Sequence, residues 1–427
     1  MPAPARWTAP IAVAAVAVVA AGAGVFATYS WQQDFAAFWV AGAAIGAGLD
    51  PYINYAGTSA GLWDGVGVYQ HSRFLYPPLV AVLFRPLAAM PYAVAKSLFS
   101  AASVAAWIAA VMLALRIAAP DEVRRSSLSR RRAAALAASA LFLPLHIHIE
   151  RGQVDLLALV LILVAWVHRD RPFRAGGALA LAVLLKPAAA GLLPFLAVAR
   201  RWRLLGGVGA GGALLAAITL AVCGPSRVRQ YAFDVLPRVS LYGEGGPAVM
   251  LLPDERLATA AASLSTGIAA LDGRTYVQSA VESVFGDDLR LGASLPRLLA
   301  PEAPDRPRFI LPFVALGAVL AWAGRRAGRD DHAESLLLLA ALPLCVVASP
   351  TGWAMGVVWT IPLGVLVATR WRRGRSSRTA TIALASGFLL CAVPPWFAGG
   401  YVAGLMLMLV GAGVRLAHPD RGGERPA

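Results

Sequence analysis

An aspartate stands where the first apolar run of this chain gives out. Ile11 to Tyr29 is apolar, and Ser30-Trp31-Gln32-Gln33-Asp34 follows, with Phe35, Phe38 and Trp39 close behind. Aromatic side chains favour the membrane–water boundary because their bodies are apolar and their edges polar. A carboxylate at that depth is costly enough to mark a functional position. Few other polar residues occur near apolar runs: Asp50-Pro51-Tyr52, His71-Ser72-Arg73, Tyr76-Pro77-Pro78, Glu150-Arg151-Gly152-Gln153 with Asp155, and Lys186. Together they suit a half-apolar, water-accessible pocket for a lipid-linked substrate with a charged headgroup. Each also has a plainer reading. Asp34 alone could be a solvated loop residue, and Tyr76-Pro77-Pro78 a helix start, since proline fits the first turn. Arg73 could snorkel to the interface, and Glu150-Arg151 could be a simple ion pair. Lys186 resists such a reading, because its long apolar approach demands an anion or water. His146 and His148 are one residue apart and cannot share a helix face, which argues against a metal site.

These residues sit in an apolar chain. Of 427 residues, 58% are hydrophobic and 14% charged, against about 25% charged in soluble domains. Several apolar runs reach or approach the roughly 20 residues that cross a bilayer core. The expected fold is an all-α polytopic membrane bundle. Its first run is longer than a signal-peptide core and is followed by aromatics, not by a cleavage site. The net charge of +15 comes from short arginine clusters: Arg124, Arg125 and Arg130 to Arg132; Arg169, Arg171 and Arg174; Arg200, Arg201 and Arg203; Arg325, Arg326 and Arg329; and Arg370 to Arg378. Such clusters place their loops in the cytoplasm. A nucleic-acid surface would gather them on one soluble face, so no nucleic-acid partner is expected. Three cysteines, Cys223, Cys345 and Cys391, lie in or at the ends of apolar runs and predict no disulfide framework.

Apolar runs and basic loops together give a path. A span at 9–29 leads out to a loop at 30–76. A short interfacial or re-entrant helix follows to Met90-Pro91, then a crossing at 92–117 and spans at 133–147 and 154–168, joined outside by Ile147 to Asp155. Arginines flank the segment 175–199 on both sides, so it should enter and leave on one side. A break at Lys186-Pro187 would make two half-helices with Lys186 near their tip, because proline interrupts the helical hydrogen bonds. A span at 204–223 precedes a long polar stretch, 224–307, with helical patches at 256–270 and 277–285 that suggest a cap. Further spans are expected near 309–324, 333–349, 353–369, 378–395 and 398–416. The chain thus divides into an N-terminal transmembrane module (1–223), an extracytoplasmic loop or cap (224–307), C-terminal transmembrane helices (308–416) and a cytoplasmic tail (417–427). Both termini are expected in the cytoplasm.

The order Asp34-Phe35 to Phe38-Trp39, Gly48-Leu49-Asp50-Pro51-Tyr52, Phe74-Leu75-Tyr76-Pro77-Pro78, Pro86-Leu87, Pro91-Tyr92, Gly152-Gln153-Val154-Asp155 and Leu185-Lys186-Pro187, with Arg200-Arg201-Trp202 behind, resembles glycosyltransferase family 87. That resemblance implies a GT-C-like bundle of about 10–12 transmembrane or half-membrane helices. It also implies transfer of a hexose, most simply mannose, from a polyprenyl-phosphate donor to a lipid or glycan acceptor at the extracytoplasmic side of the plasma membrane, with inversion and without a nucleotide donor. The residues themselves show no carboxylate cluster with ligand spacing, so no metal or cofactor is expected. On the family's pattern Asp34 matches the general base, and Arg73, Arg151 and Lys186 are candidates for the donor phosphate. Phe38, Trp39, Tyr52, Tyr76, Glu150, Gln153, Asp155 and Trp353 would line the substrate pocket. Two positions depart from the family's pattern. Met355-Gly356-Val357 follows Ser349-Pro350 and Trp353 where histidines are frequent, and Asp155 stands where asparagine is usual. Other readings are a lipid or lipid-linked-sugar transporter, or an inactive relative that scaffolds envelope assembly.

Overall fold

A computed structural model of the chain describes residues 8–30, 32–52, 74–118, 130–237, 293–299, 306–327, 331–349, 352–371, 378–394 and 399–417. Trp31, His71, Arg73 and most of the stretch expected to form a cap, including 256–270 and 277–285, lie outside those residues. The described chain is helical. Among the described residues, four helices are long and apolar enough to cross a membrane: α1 (Thr8–Tyr29), α4 (Tyr92–Ala118), α10 (Trp202–Cys223) and α17 (Gly400–Ala417). A 22-residue helix is about 33 Å long, close to the roughly 30 Å hydrocarbon core. Val13, Val18 and Val25 of α1 and Leu214, Leu220 and Val222 of α10 are exposed. Such an apolar exterior fits lipid in place of water.

Shorter helices complete the bundle: α2 (Gln33–Gly46), α3 (Pro78–Ala88), α5 (Arg130–Ala140), α6 (Leu143–Arg151), α7 (Asp155–Val167), α8 (Pro172–Leu185) and α9 (Leu193–Val198). After α10 come α11 (Pro225–Gln230), α12 (Leu295–Leu299), α13 (Arg306–Ala327), α14 (Asp331–Val347), α15 (Ile361–Trp371) and α16 (Arg378–Ala392). Four expectations change. The first loop contains α2, whose Phe35, Phe38, Trp39 and Ala41 are buried against α3 and α4. The span expected at 133–147 is α5 and α6, bent by 63°. Pro144 is the cause: it has no N–H for the Ala140 carbonyl, and His146 Nε2 bonds that carbonyl instead at 2.7 Å. The α6 helix then runs to Arg151, so Glu150 and Arg151 are its last turn and not part of a loop. The span expected from 353 opens as a 3₁₀ segment, Ala354–Thr360, before α15.

The segment between Pro172 and Val198 forms two arms. Lys186, the residue before Pro187, is extended (φ −143°, ψ 94°), as a following proline favours. The α8 arm of 14 residues rises about 21 Å. A 3₁₀ segment, Pro187–Leu192, and α9 descend about the same distance. Both flanks reach one acceptor: Arg169 Nη2 and Arg201 Nη2 lie 3.0 and 3.7 Å from Asp331 Oδ1. Arg201 also pairs with Glu334 at 2.5 Å. Both flanks thus stand at one basic end, and the Lys186 tip meets the start of α7 at the opposite end. The outgoing arm is backed by α10, which packs on α8 where Gly176 and Gly207 bring the two backbones into direct contact. A Cβ on either glycine would collide with the other helix.

Candidate active site

At the end opposite the arginine pairs, α1 stops and α2 starts within four residues. Gln32 makes the corner in the left-handed region (φ 49°, ψ 62°) and is buried. Its amide nitrogen donates to Ser100 Oγ at 2.7 Å and to the Ile149 carbonyl at 3.1 Å. Ser30 Oγ donates to Glu150 Oε1 at 2.9 Å, and Lys96 Nζ to the Ser30 carbonyl, also at 2.9 Å. This corner sets Asp34 in the first turn of α2, where the positive end of the helix dipole favours a carboxylate. Its Oδ2 atom is buried.

Gly152 brings the second element in. At φ 71° it caps α6, its N–H and that of Gln153 both donating to the His148 carbonyl at 3.0 and 3.2 Å. A Cβ there would lie 2.5 Å from Phe35 Cβ, so only glycine lets this turn approach α2. Beyond it, Gln153 Oε1 accepts the Tyr76 hydroxyl at 3.1 Å. Asp155 opens α7, and its Oδ2 accepts Lys186 Nζ at 3.0 Å. The anion that Lys186 demands is therefore Asp155. Contacts bring the four residues to one place: Phe35, next to Asp34, meets the Gly152 turn, and Gln153, which bonds Tyr76, stands two residues before the Asp155 that holds Lys186.

The remaining expected residues fall into layers around it. Phe38 stacks on Phe84 at 4.6 Å between ring centres and touches Tyr76 at 4.7 Å. Trp39 turns away: its indole N–H reaches the Met90 carbonyl at 3.2 Å, and its ring meets Tyr92 edge-on. Tyr52 supports the site from behind, donating to the Tyr76 carbonyl at 2.8 Å. Arg151 bonds Gln33 Oε1 at 2.6 Å, next to Asp34, and pairs with Glu150 at 3.4 Å, about a third of its side chain exposed. Trp353, half-buried, precedes the 3₁₀ segment that packs on α6 and α7.

Three contributors were not foreseen. Trp359, fully buried, donates its indole N–H to the Asp155 carbonyl at 2.9 Å. The α11 helix docks on the first loop: Arg227 donates to the Gly48 and Leu49 carbonyls, and Gln230 to Asp50 Oδ2 at 2.6 Å. Tyr231, in the π-helical turn Tyr231–Val235, stacks on Tyr52. Burial pushes the Tyr52 and Tyr231 hydroxyls up, so both remain neutral. No sequence signal marks these contributors, because their contacts join residues far apart in the chain; the π turn at Tyr231 is of a kind frequent at functional sites.

Fold and site define a helical membrane protein with a carboxylate, a phenol and a buried lysine–carboxylate pair gathered at one end of an apolar bundle. By sequence comparison the chain belongs to glycosyltransferase family 87, whose profile matches residues 74–350. That stretch includes Tyr76, Arg151, Gln153, Asp155 and Lys186; Asp34 precedes it. The chain is also similar to a polyprenol-phosphate-mannose-dependent alpha-(1-2)-phosphatidylinositol mannoside mannosyltransferase of Mycolicibacterium smegmatis, 28% identical over 323 residues. The similarity covers 71% of this chain and 63% of that relative.

Proposed function

We propose that this protein transfers a hexose, mannose in the simplest case, from a polyprenyl-phosphate donor to a hydroxyl of a lipid or glycan acceptor at the extracytoplasmic face. Asp34 is the general base. It takes the acceptor proton as that oxygen attacks the anomeric carbon from the side opposite the phosphate. The bond from the anomeric carbon to the phosphate oxygen breaks, its electrons leave with polyprenyl phosphate, and the anomeric configuration inverts. A positioned base of this kind contributes roughly 10²–10⁴-fold. Lys186 meets the charge that builds on the departing phosphate, where a fixed cation in a water-poor site is most effective. Arg151 and Arg73 are the further cations offered to the donor, and Tyr76, Gln153 and Glu150 the polar groups for sugar and acceptor.

The observation that carries this reading is the close approach of the Gly152 turn to Phe35, next to Asp34 in the first turn of α2, with the Lys186–Asp155 pair just beyond that turn. It supports a base on α2 and a phosphate ligand at the Lys186 tip serving one site. Purified protein in lipid nanodiscs, given polyprenyl-phosphate-mannose and membrane lipid acceptors, tests it. Release of polyprenyl phosphate should fall at least a hundredfold in Asp34→Asn, with folding retained. Unchanged release in that variant would remove Asp34 as base. Movement of intact donor between leaflets without release would make the protein a transporter.

A further inference from the structure

His148 is buried completely on α6, and neither ring nitrogen has a hydrogen-bond partner among the described residues. The Met355 backbone faces the ring without reaching hydrogen-bond geometry. Buried polar side chains are nearly always satisfied, and an exception calls for a reason. His146, two residues earlier, has one, since it satisfies the carbonyl that Pro144 leaves open. No such structural task falls to the His148 ring. The charged groups that act on it are Asp155 from α7 and Lys186 from the tip between α8 and the 3₁₀ segment.

Asp155 supplies the reason. Its carboxylate is 2% exposed, and Oδ2 is held by Lys186. Oδ1 faces the 3₁₀ segment near Gly356, where an added Cβ would lie 3.6 Å from it. That same segment presents the Met355 backbone to His148. If Lys186 is to serve a donor phosphate, its amine must turn at least partly from Asp155. A buried carboxylate without its cation is strongly unfavourable unless another donor takes over.

We propose that His148 is that donor: when the phosphate of the substrate draws Lys186 away, the imidazole N–H bonds the Asp155 carboxylate. His148 is then a positioning residue that acts through Asp155, and its unmet hydrogen bond in the substrate-free protein is a capacity held for the bound state. This rests on the assignment of Lys186 to the donor phosphate.

Two measurements test it. The first needs no substrate. Thermal unfolding of His148→Leu should match or exceed that of the unchanged protein, because the leucine removes an unsatisfied polar group. In a Lys186→Ala background, where Asp155 has lost its cation, the same change should lower the unfolding temperature by several degrees. Equal effects of His148→Leu in the two backgrounds overturn the handover, whatever the protein's activity. The second measurement titrates polyprenyl phosphate into nanodisc-embedded protein and follows turnover. His148→Leu should weaken binding about tenfold, the order expected for one hydrogen bond to a charged group. It should raise the donor KM while leaving the acceptor KM unchanged, and His148→Gln should restore most of the loss. Undiminished binding by His148→Leu, or equal losses for donor and acceptor, overturns the inference. Absence of binding and turnover in the unchanged protein would instead strike the proposed activity and leave the thermal test to decide the handover.

Discussion

At the scale of single residues, the Lys186–Asp155 pair makes an asymmetric prediction. The Lys186 side chain is 18% exposed and that of Asp155 2%. Removing the lysine strands a carboxylate that cannot reach water, whereas Asp155→Asn leaves an amine that can. Breaking a buried pair from one side costs about 3–5 kcal/mol. Lys186→Ala should therefore lower the unfolding temperature more than Asp155→Asn, by an amount that His148 limits. Pairing Lys186→Met with Asp155→Leu should recover most of the loss, since matched apolar groups often replace a buried pair without penalty. Thermal unfolding of the three proteins in one detergent checks the order, and a larger loss in Asp155→Asn would contradict it. Activity separates from stability here. Lys186→Ala should weaken donor binding about tenfold or more and leave acceptor binding unchanged, as titrations of each would show. Asp34 and Lys186 stand out in the sequence as candidates because an ionisable side chain in an apolar run has few explanations. Asp155 was legible as a departure from the family pattern, but its partner was not. An ion pair between residues 31 positions apart is a property of packing, and Trp359, more than 200 positions from Asp155, is recognisable only once both helices are placed.

At the scale of elements, the site is made by the ends of helices and by the breaks between them. The corner at Gln32, the cap at Gly152 and the extended Lys186 each turn the chain where a continuous helix would have carried the side chains apart. The break at Pro187 could be read from the sequence, because proline costs a helix a hydrogen bond; the bend at Pro144 could not, since proline need not end a helix, as Pro86 in α3 and Pro343 in α14 show. The α2 helix could not, since its fourteen residues look like an aromatic loop until α3 and α4 cover them. Gly152 is the most exacting of these joints. Alanine there would pay about 1–2 kcal/mol for the left-handed backbone, and its Cβ would also press on Phe35 at the root of α2. Gly152→Ala should therefore lower thermal stability modestly and turnover severely, because Asp34 rides on the helix that must move. Parallel unfolding and turnover measurements distinguish this from a purely structural joint, for which activity would fall only with the folded fraction.

At the scale of the whole molecule, the decisive feature is which helices return. Arg169 and Arg201 meet on Asp331 while Lys186 meets Asp155, so the two arms between Pro172 and Val198 occupy one bundle height and start and finish at the same end. The α10 helix then crosses to the other end, where Arg227 and Gln230 grip the first loop. Basic clusters on both sides of a crossing-length segment led to this arrangement, because the distribution of arginines carries sidedness even when hydropathy does not. Introduced cysteines test it. Arg171, Arg203 and Arg229 are exposed, and the native Cys223, Cys345 and Cys391 are buried, so a membrane-impermeant maleimide would report the new thiol. Arg171→Cys and Arg203→Cys should both react only after the membrane is opened, whereas Arg229→Cys should react in intact cells. Labelling of Arg171→Cys and Arg203→Cys from opposite sides would make the segment between them a full crossing. Lys186 would then lie partway along a span instead of at a tip, and its pairing with the first residue of α7 would have no topological basis.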